Sequence, residues 1–201
     1  MPIPMKFGGV GVVIGHEITH GFDNFGRTIN EYGHSEDWWE TLTENEYDRR
    51  KQCFITQYNH FLVTLRSGQT SVRTGEKSKS PVDGEFTLSE NLADAGGLKS
   101  SYWALKNYLK TRKSQVEDPK IVVHGLEFMT DEQLFFATYA FGWCSVEYTS
   151  QTKYLLSDDN HSPDRARVNV ALSNLQEFFD AFNCQPGDKM YRIPEERCHL
   201  W

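Results

Sequence analysis

The sequence predicts a mainly α fold with little strand. Three observations carry that expectation. Between Asp37 and about Leu65, Trp38, Leu42, Cys53, Ile55 and Tyr58 fall at helical or near-helical steps. In TLSENLADAGGLKSSYWALKNYLK, Leu92, Ala95, Leu98 and Tyr102 keep the same period, and Thr87 or Ser89 can cap the start. Residues 130–149 open on TDEQ, the pattern of a capping box.

The other segments fit around these. Residues 10–24 read as a buried helix with Asp23 and Gly26 near its end. Residues 66–85, rich in Gly, Ser and Lys, read as a loop with room for a short strand. Residues 111–125 form a polar connection with Pro119 and Gly125. The stretch from Ser157 to Phe182 holds a loop through Pro163, then one or two short helices. No internal repeat is present.

Composition narrows the function classes. The chain has 201 residues, 38% of them hydrophobic and 13% aromatic. That is enough for one substantial domain or two small ones, and it argues against disorder. The net charge of −7 and the lack of any Lys/Arg-rich run disfavour a nucleic-acid partner. No segment approaches the ~20 consecutive apolar residues that cross a bilayer. The N-terminal MPIPMKFGG is no signal peptide. A protein working outside the cell would need a targeting segment from beyond this chain.

The chemistry concentrates in VVIGHEITHGFDN, residues 12–24. Burying ionisable groups without partners is costly, so a metal ion or a hydrogen-bond network must compensate them. On a helix His16 and His20 share one face and can grip one ion. Glu17 lies about 100° further round, within reach of a water on that ion. A catalytic zinc takes three protein ligands and leaves one position for water. The metzincin pattern needs glycine at 23 and histidine at 26, where this chain has Asp23 and Gly26. A glutamate nineteen residues after the second histidine is replaced by Trp39, with Glu40 one step out of register. Glu90 in SENLAD is the better third ligand. Asp94, four residues on, can accept the free ring N–H of a ligating histidine. The competing reading makes Glu90 and Asp94 ordinary first-turn acids that favour the helix dipole. In the metal reading Glu17 removes a proton from the attacking water and passes it to the leaving amine.

GGVGVVIGHEITHGFDNFGR, DWW, TLSENLADAGGL, GWC, HSPDRAR, FNC and the terminal CHLW occur in order over nearly the whole chain. Together they resemble the neprilysin and endothelin-converting-enzyme family of zinc metalloendopeptidases. The resemblance implies a zincin-like, gluzincin catalytic subdomain, with residues 1–201 forming the C-terminal part of a longer catalytic domain. It implies one zinc on His16, His20 and Glu90, with Glu17 as general base. It places Asp94 behind a ligating histidine, and His161, oriented by Asp159, on the oxyanion. Arg167, rather than Arg165, matches the arginine that binds a substrate carbonyl. Val13 and Trp143 match residues lining the pocket for the side chain after the scissile bond. Where the family has two aspartates after HGF, this chain has Asp23 and Asn24.

The implied substrates are short peptides cut before a hydrophobic residue. The parent would face the cell exterior, on a membrane anchor or secreted. An N-terminal domain that caps the cavity, and a strand that binds the substrate backbone, would lie upstream of this chain. The alternative is a non-catalytic fragment that keeps the fold and only binds peptides or partners.

Spacing alone leaves all three pairings of the four cysteines open, together with four free thiols. The resemblance pairs Cys53 with Cys198 and leaves Cys144 and Cys184 unpaired within these residues. The sequon Asn160-His161-Ser162 overlaps the site, so Asn160 is expected to be unmodified.

Overall fold

In the computed structural model, which describes residues 1–65, 78–113 and 123–200, glycine shapes the first helical run. Helix α1 (Ile3–Lys6) continues through a π-helical turn (Phe7–Gly11) into α2 (Val12–Thr19), and a 3-10 turn (His20–Phe22) ends it. The run begins earlier than the helix predicted over 10–24, and it is only half-buried. Val13, Ile14 and Ile18 are 54%, 55% and 64% exposed. The reason is that α2 packs through one face, Val12, Gly15, His16 and Thr19, and turns Val13, Ile14 and Ile18 outward. A Cβ at Gly8 would lie 2.2 Å from the Phe135 carbonyl oxygen, and one at Gly15 would lie 2.9 Å from the Gly97 Cα. Only glycine admits such an approach.

Helix α3 (Thr41–Asn59) buries Tyr47, Phe54, Ile55 and Tyr58, while Trp38 and Leu42 remain exposed. It stops short of the predicted Leu65. Leu62–Leu65 is instead strand β1, paired antiparallel with β2 (Ser78–Pro81), Leu62 opposite Pro81 and Leu65 opposite Ser78. LVTL alternates in burial and has two β-branched residues, which suits a strand. The predicted loop over 66–85 thus does hold a strand; residues 66–77 lie outside the described residues.

Helix α4 (Leu88–Lys113) is the longest among the described residues and runs past the predicted start of the 111–125 connection. Residues 114–122 lie outside the described residues. Helix α5 (Asp131–Gly142) opens with the expected capping box. The Thr130 hydroxyl accepts from the Gln133 backbone N–H at 3.2 Å, and the Gln133 side chain accepts from the Thr130 N–H at 3.1 Å. It ends at Gly142, short of 149, and a separate helix α6 (Thr149–Ser157) follows. The one or two short helices expected after Pro163 are two, α7 (Asp164–Leu172) and α8 (Gln176–Phe182). Asn183 closes α8 in the left-handed conformation, φ +52°.

The described residues are mainly α. Helix α4 serves two cores. One gathers Phe54, Tyr58, Leu92 and Val170; the other gathers Leu98, Leu105, Phe135 and Phe136. Tyr102 stacks on Phe136 at 5.3 Å. Along α4, Asp94 falls between Leu92 of the first core and Leu98 of the second. Cys53 of α3 is bonded to Cys198, while Cys144 and Cys184 are free thiols. Among the described residues no helix is long and apolar enough to cross a membrane.

Candidate metal centre

The close crossing of α2 on α4 decides which side chains meet. A Cβ at Gly97 would lie 2.5 Å from the His16 backbone nitrogen, so the helices touch one residue from the predicted site. About one and two turns back along α4, Asp94 and Glu90 come alongside His16 and His20. One atom each from His16, His20 and Glu90 lie within 4.8 Å of one another. The two Nε2 atoms are 3.0 Å apart. Glu90 Oε2 is 3.2 Å from His16 Nε2 and 3.7 Å from His20 Nε2.

Both rings are held from behind. His16 Nδ1 lies 2.9 Å from Asp94 Oδ1, and His20 Nδ1 lies 2.7 Å from Asp23 Oδ2. A neutral imidazole carries one N–H, and here a carboxylate claims it at Nδ1 in each ring. Both Nε2 atoms then present lone pairs to each other and to Glu90 Oε2, which is buried with no hydrogen-bond partner. Three electron-rich atoms facing one point repel unless a cation lies among them. A tetrahedral zinc with bonds of 2.0–2.1 Å to nitrogen separates two ligand nitrogens by about 3.3 Å. The donor set fits a zinc ion.

Charge reinforces the geometry. Arg167 clamps Asp94 with two bonds, Nε to Oδ2 at 2.7 Å and Nη2 to Oδ1 at 2.8 Å. Burial alone would raise the Asp94 pKa, but Arg167 and then His16 hold it below the ordinary carboxylate value. Burial likewise opposes ionisation of Glu90, and His16, His161 and His20 overcome it. For the His16 imidazole, burial favours the neutral form, yet the Asp94 and Glu90 carboxylates beside it prevail and push its pKa up to about 9. The pocket draws positive charge.

The remaining predicted residues fall around one cavity of about 320 Å³, lined by Val13, His16, Glu17, Trp143, His161 and Arg167 among others. Glu17 and Val13 are on the exposed side of α2. His161 Nδ1 lies 2.8 Å from Asp159 Oδ1, and its Nε2 lies 3.2 Å from Glu90 Oε2. Arg167 is 6% exposed and its guanidinium carbon sits 3.9 Å over the Trp143 ring. Asn160 reaches Glu90 Oε1 at 3.4 Å. The nine predicted site residues Val13, His16, Glu17, His20, Glu90, Asp94, Trp143, His161 and Arg167 are therefore brought to one place.

Sequence reasoning missed two groups. Asp23 stands behind His20 as Asp94 stands behind His16, and its signal was a carboxylate three residues after the second histidine. The buried Ser162 hydroxyl donates to Asn91 Oδ1 at 2.7 Å, tying the His161 loop to α4 beside Glu90. No spacing in the sequence marks that pair.

The family model of peptidase family M13 matches residues 1–199. Neprilysin-1 of Caenorhabditis elegans is 40% identical over 200 residues, which are 100% of this chain and 24% of that protein. Endothelin-converting enzyme 1 of Homo sapiens is 38% identical, again over 100% of this chain and 23% of its own length. The chain thus spans about a quarter of the length of these curated relatives. Among solved structures, the Mycobacterium tuberculosis zinc metalloprotease ZMP1 in complex with an inhibitor superposes with a TM-score of 0.79 at 28% identity, covering 98% of this chain and 27% of that one. With the family model matching nearly its whole length, this chain belongs to peptidase family M13.

Proposed function

We propose that this chain carries the metal and proton-transfer machinery of a zinc endopeptidase. The observation that supports it most is the convergence of two carboxylate-backed Nε2 lone pairs on the unpartnered Glu90 oxygen. His16, His20 and Glu90 would hold one zinc, which when bound makes water a nucleophile near neutral pH and polarises a peptide carbonyl. Glu17, on the cavity face of α2, takes a proton from the attacking water and delivers it to the leaving amine. His161, held through Nδ1 by Asp159, presents Nε2 to the carbonyl oxygen, and with a proton on each ring nitrogen it would donate there as negative charge grows. One such donor contributes on the order of 3 kcal/mol. Asp94 fixes the ring of His16. Arg167, anchored on Asp94 and stacked on Trp143, offers its guanidinium to a substrate carbonyl at the cavity wall. Val13 and Trp143 line that cavity, which supports short peptides cut before a hydrophobic residue as substrates.

Residues 1–201 read as the C-terminal part of a larger catalytic domain. The quarter share of the relatives' length supports that reading, with a partner N-terminal domain completing the walls around substrate. The Cys53–Cys198 disulfide supports an oxidising, extracellular or cell-surface setting. The same quarter share favours a second reading, in which this chain alone holds zinc and binds peptides without cutting them.

The test is the zinc content of the dialysed protein beside Glu90→Ala. About one zinc per chain, lost in the variant, is expected. A chain without zinc, or a variant that binds it as tightly as the wild type, overturns the metal reading.

A further inference from the structure

Asp23 is 2% exposed, and each of its carboxylate oxygens has two hydrogen-bond partners. Oδ1 accepts the backbone N–H groups of Phe25 at 2.8 Å and Gly26 at 2.7 Å. Those two bonds close the turn that follows α2. The turn itself is fixed by Gly26, where a Cβ would collide with the His20 carbonyl oxygen at 1.8 Å. The carboxylate is therefore immobilised by main chain before it touches a side chain. Its other oxygen, Oδ2, accepts from His20 Nδ1 and from the Ser89 hydroxyl. Ser89 belongs to the first turn of α4 and precedes Glu90. One carboxylate oxygen thus joins the second histidine to the helix that carries Glu90.

We propose that Asp23 and Ser89 form a positioning pair that fixes the tautomer and direction of the His20 ring and couples it to Glu90, presetting the three ligands for zinc. The proposal rests on the zinc reading above. Asp94 and Arg167 do this for His16 from inside the core; Asp23 and Ser89 do it for His20, whose side chain is 28% exposed.

The chemistry gives distinct expectations for each variant. In Asp23→Asn the single amide oxygen can serve the Phe25 and Gly26 amides or the His20 ring, but not both. An amide NH₂ turned to His20 needs an acceptor at Nδ1, which moves the ring proton to Nε2 and removes the lone pair that a metal would use. Ser89→Ala leaves the carboxylate in place and releases only its tie to α4. Ser89→Thr keeps the hydroxyl.

Zinc affinity would be measured on the whole chain by competition with a chelating dye. Cobalt(II) absorption would report ligand geometry, and melting of the metal-free protein would report the fold. Asp23→Asn is expected to weaken zinc about 10- to 100-fold. Ser89→Ala is expected to weaken it several-fold and to alter the cobalt spectrum, with Ser89→Thr restoring both. Ser89→Ala placed on Asp23→Asn should add little, because the two act through one oxygen. Wild-type zinc affinity in Asp23→Asn overturns the proposal, as do losses that simply add in the double variant. So does an affinity loss matched by an equal drop in metal-free melting with an unchanged cobalt spectrum. A wild-type chain that binds no zinc overturns the zinc reading itself, a result distinguishable from these.

Discussion

Gly97→Ala should separate the two helices that build the site. The new Cβ would stand 2.5 Å from the His16 backbone nitrogen, 2.7 Å from the Val12 carbonyl oxygen and 2.9 Å from the His16 Cα. All three belong to the main chain of α2, so no side-chain rotation relieves the clash. Reaching ordinary contact requires α2 to retreat by about 1 Å. Overpacking of this kind costs about 1–3 kcal/mol. Alanine recovers up to about 1 kcal/mol as a better helix former than glycine. The net loss is about 1–2 kcal/mol, or a melting point lower by roughly 2–8 °C at this chain length. The retreat also carries His16 away from Asp94, now 2.9 Å off, and from Glu90, now 3.2 Å off. Zinc affinity should fall at least about tenfold. Thermal melting with and without zinc, and dye competition, read the two effects. Gly142→Ala, at the end of α5 where a Cβ meets nothing within 4 Å, is the control and should stay within about 1 kcal/mol of wild type. A Gly97→Ala protein that melts with the wild type and binds zinc equally well would refute the crossing as the determinant of the site.

Glu17→Gln should retain its zinc and lose nearly all peptide cleavage in a protein that cleaves; wild-type turnover would sink the general-base role. Asp94→Asn leaves the buried Arg167 guanidinium without its counter-charge and should cost about 3–5 kcal/mol in denaturant melts. Because the folded-state pKa of Asp94 is depressed, its contribution is fully present above the unfolded value near 3.9 and is lost as pH falls through the lower folded value. Acid melts of wild type and Asp94→Asn should therefore converge at strongly acidic pH. Replacing both Cys53 and Cys198 by serine opens a loop closed over 145 residues and should destabilise by about 3–5 kcal/mol, read by urea melts under non-reducing conditions.

How much of this was legible in the sequence depends on the range of the forces involved. His16, Glu17 and His20 were readable because helical spacing alone puts both rings on one face. Glu90 and Asp94 were readable for the same reason on their own helix. Helix ends were less so. Residues 62–65 extend the apolar pattern of α3, and only the pairing with β2, across the chain, makes them a strand. The break after Gly142 was hidden because Trp143 and Cys144 continue an apolar run whose solvent exposure no local rule reports. The early start at Ile3 depends on Gly8 meeting the backbone of α5, a contact between distant residues. Asp23 could have been read from its place after His20. The Ser162–Asn91 bond joins residues 71 apart and leaves no local trace.

The choice between a metal and a self-sufficient hydrogen-bond network, the two ways to compensate ionisable groups in an apolar stretch, turns on charge. A network of neutral and paired groups closes on itself. This one does not. Asp23, Glu90, Asp94 and Asp159 each contact at least one of the three imidazoles, and among the described residues Arg167 is the one guanidinium that pairs with these carboxylates. Four carboxylates against one guanidinium leave three negative charges uncompensated at neutral imidazoles. Asp23, Glu90 and Asp94 are each no more than 6% exposed, so water screens them poorly. Asp94 and Glu90 lift the His16 pKa to about 9 against the opposing effect of burial, since a proton is the smallest cation that can answer them. A proton satisfies one lone pair, however, and three converge here. A dication satisfies all three at once and removes two of the three excess charges. Hydrogen bonds among the same atoms redistribute that excess without lowering it. The sequence can place His16 and His20 in its most apolar helix because the carboxylates gathered around them suit a divalent metal.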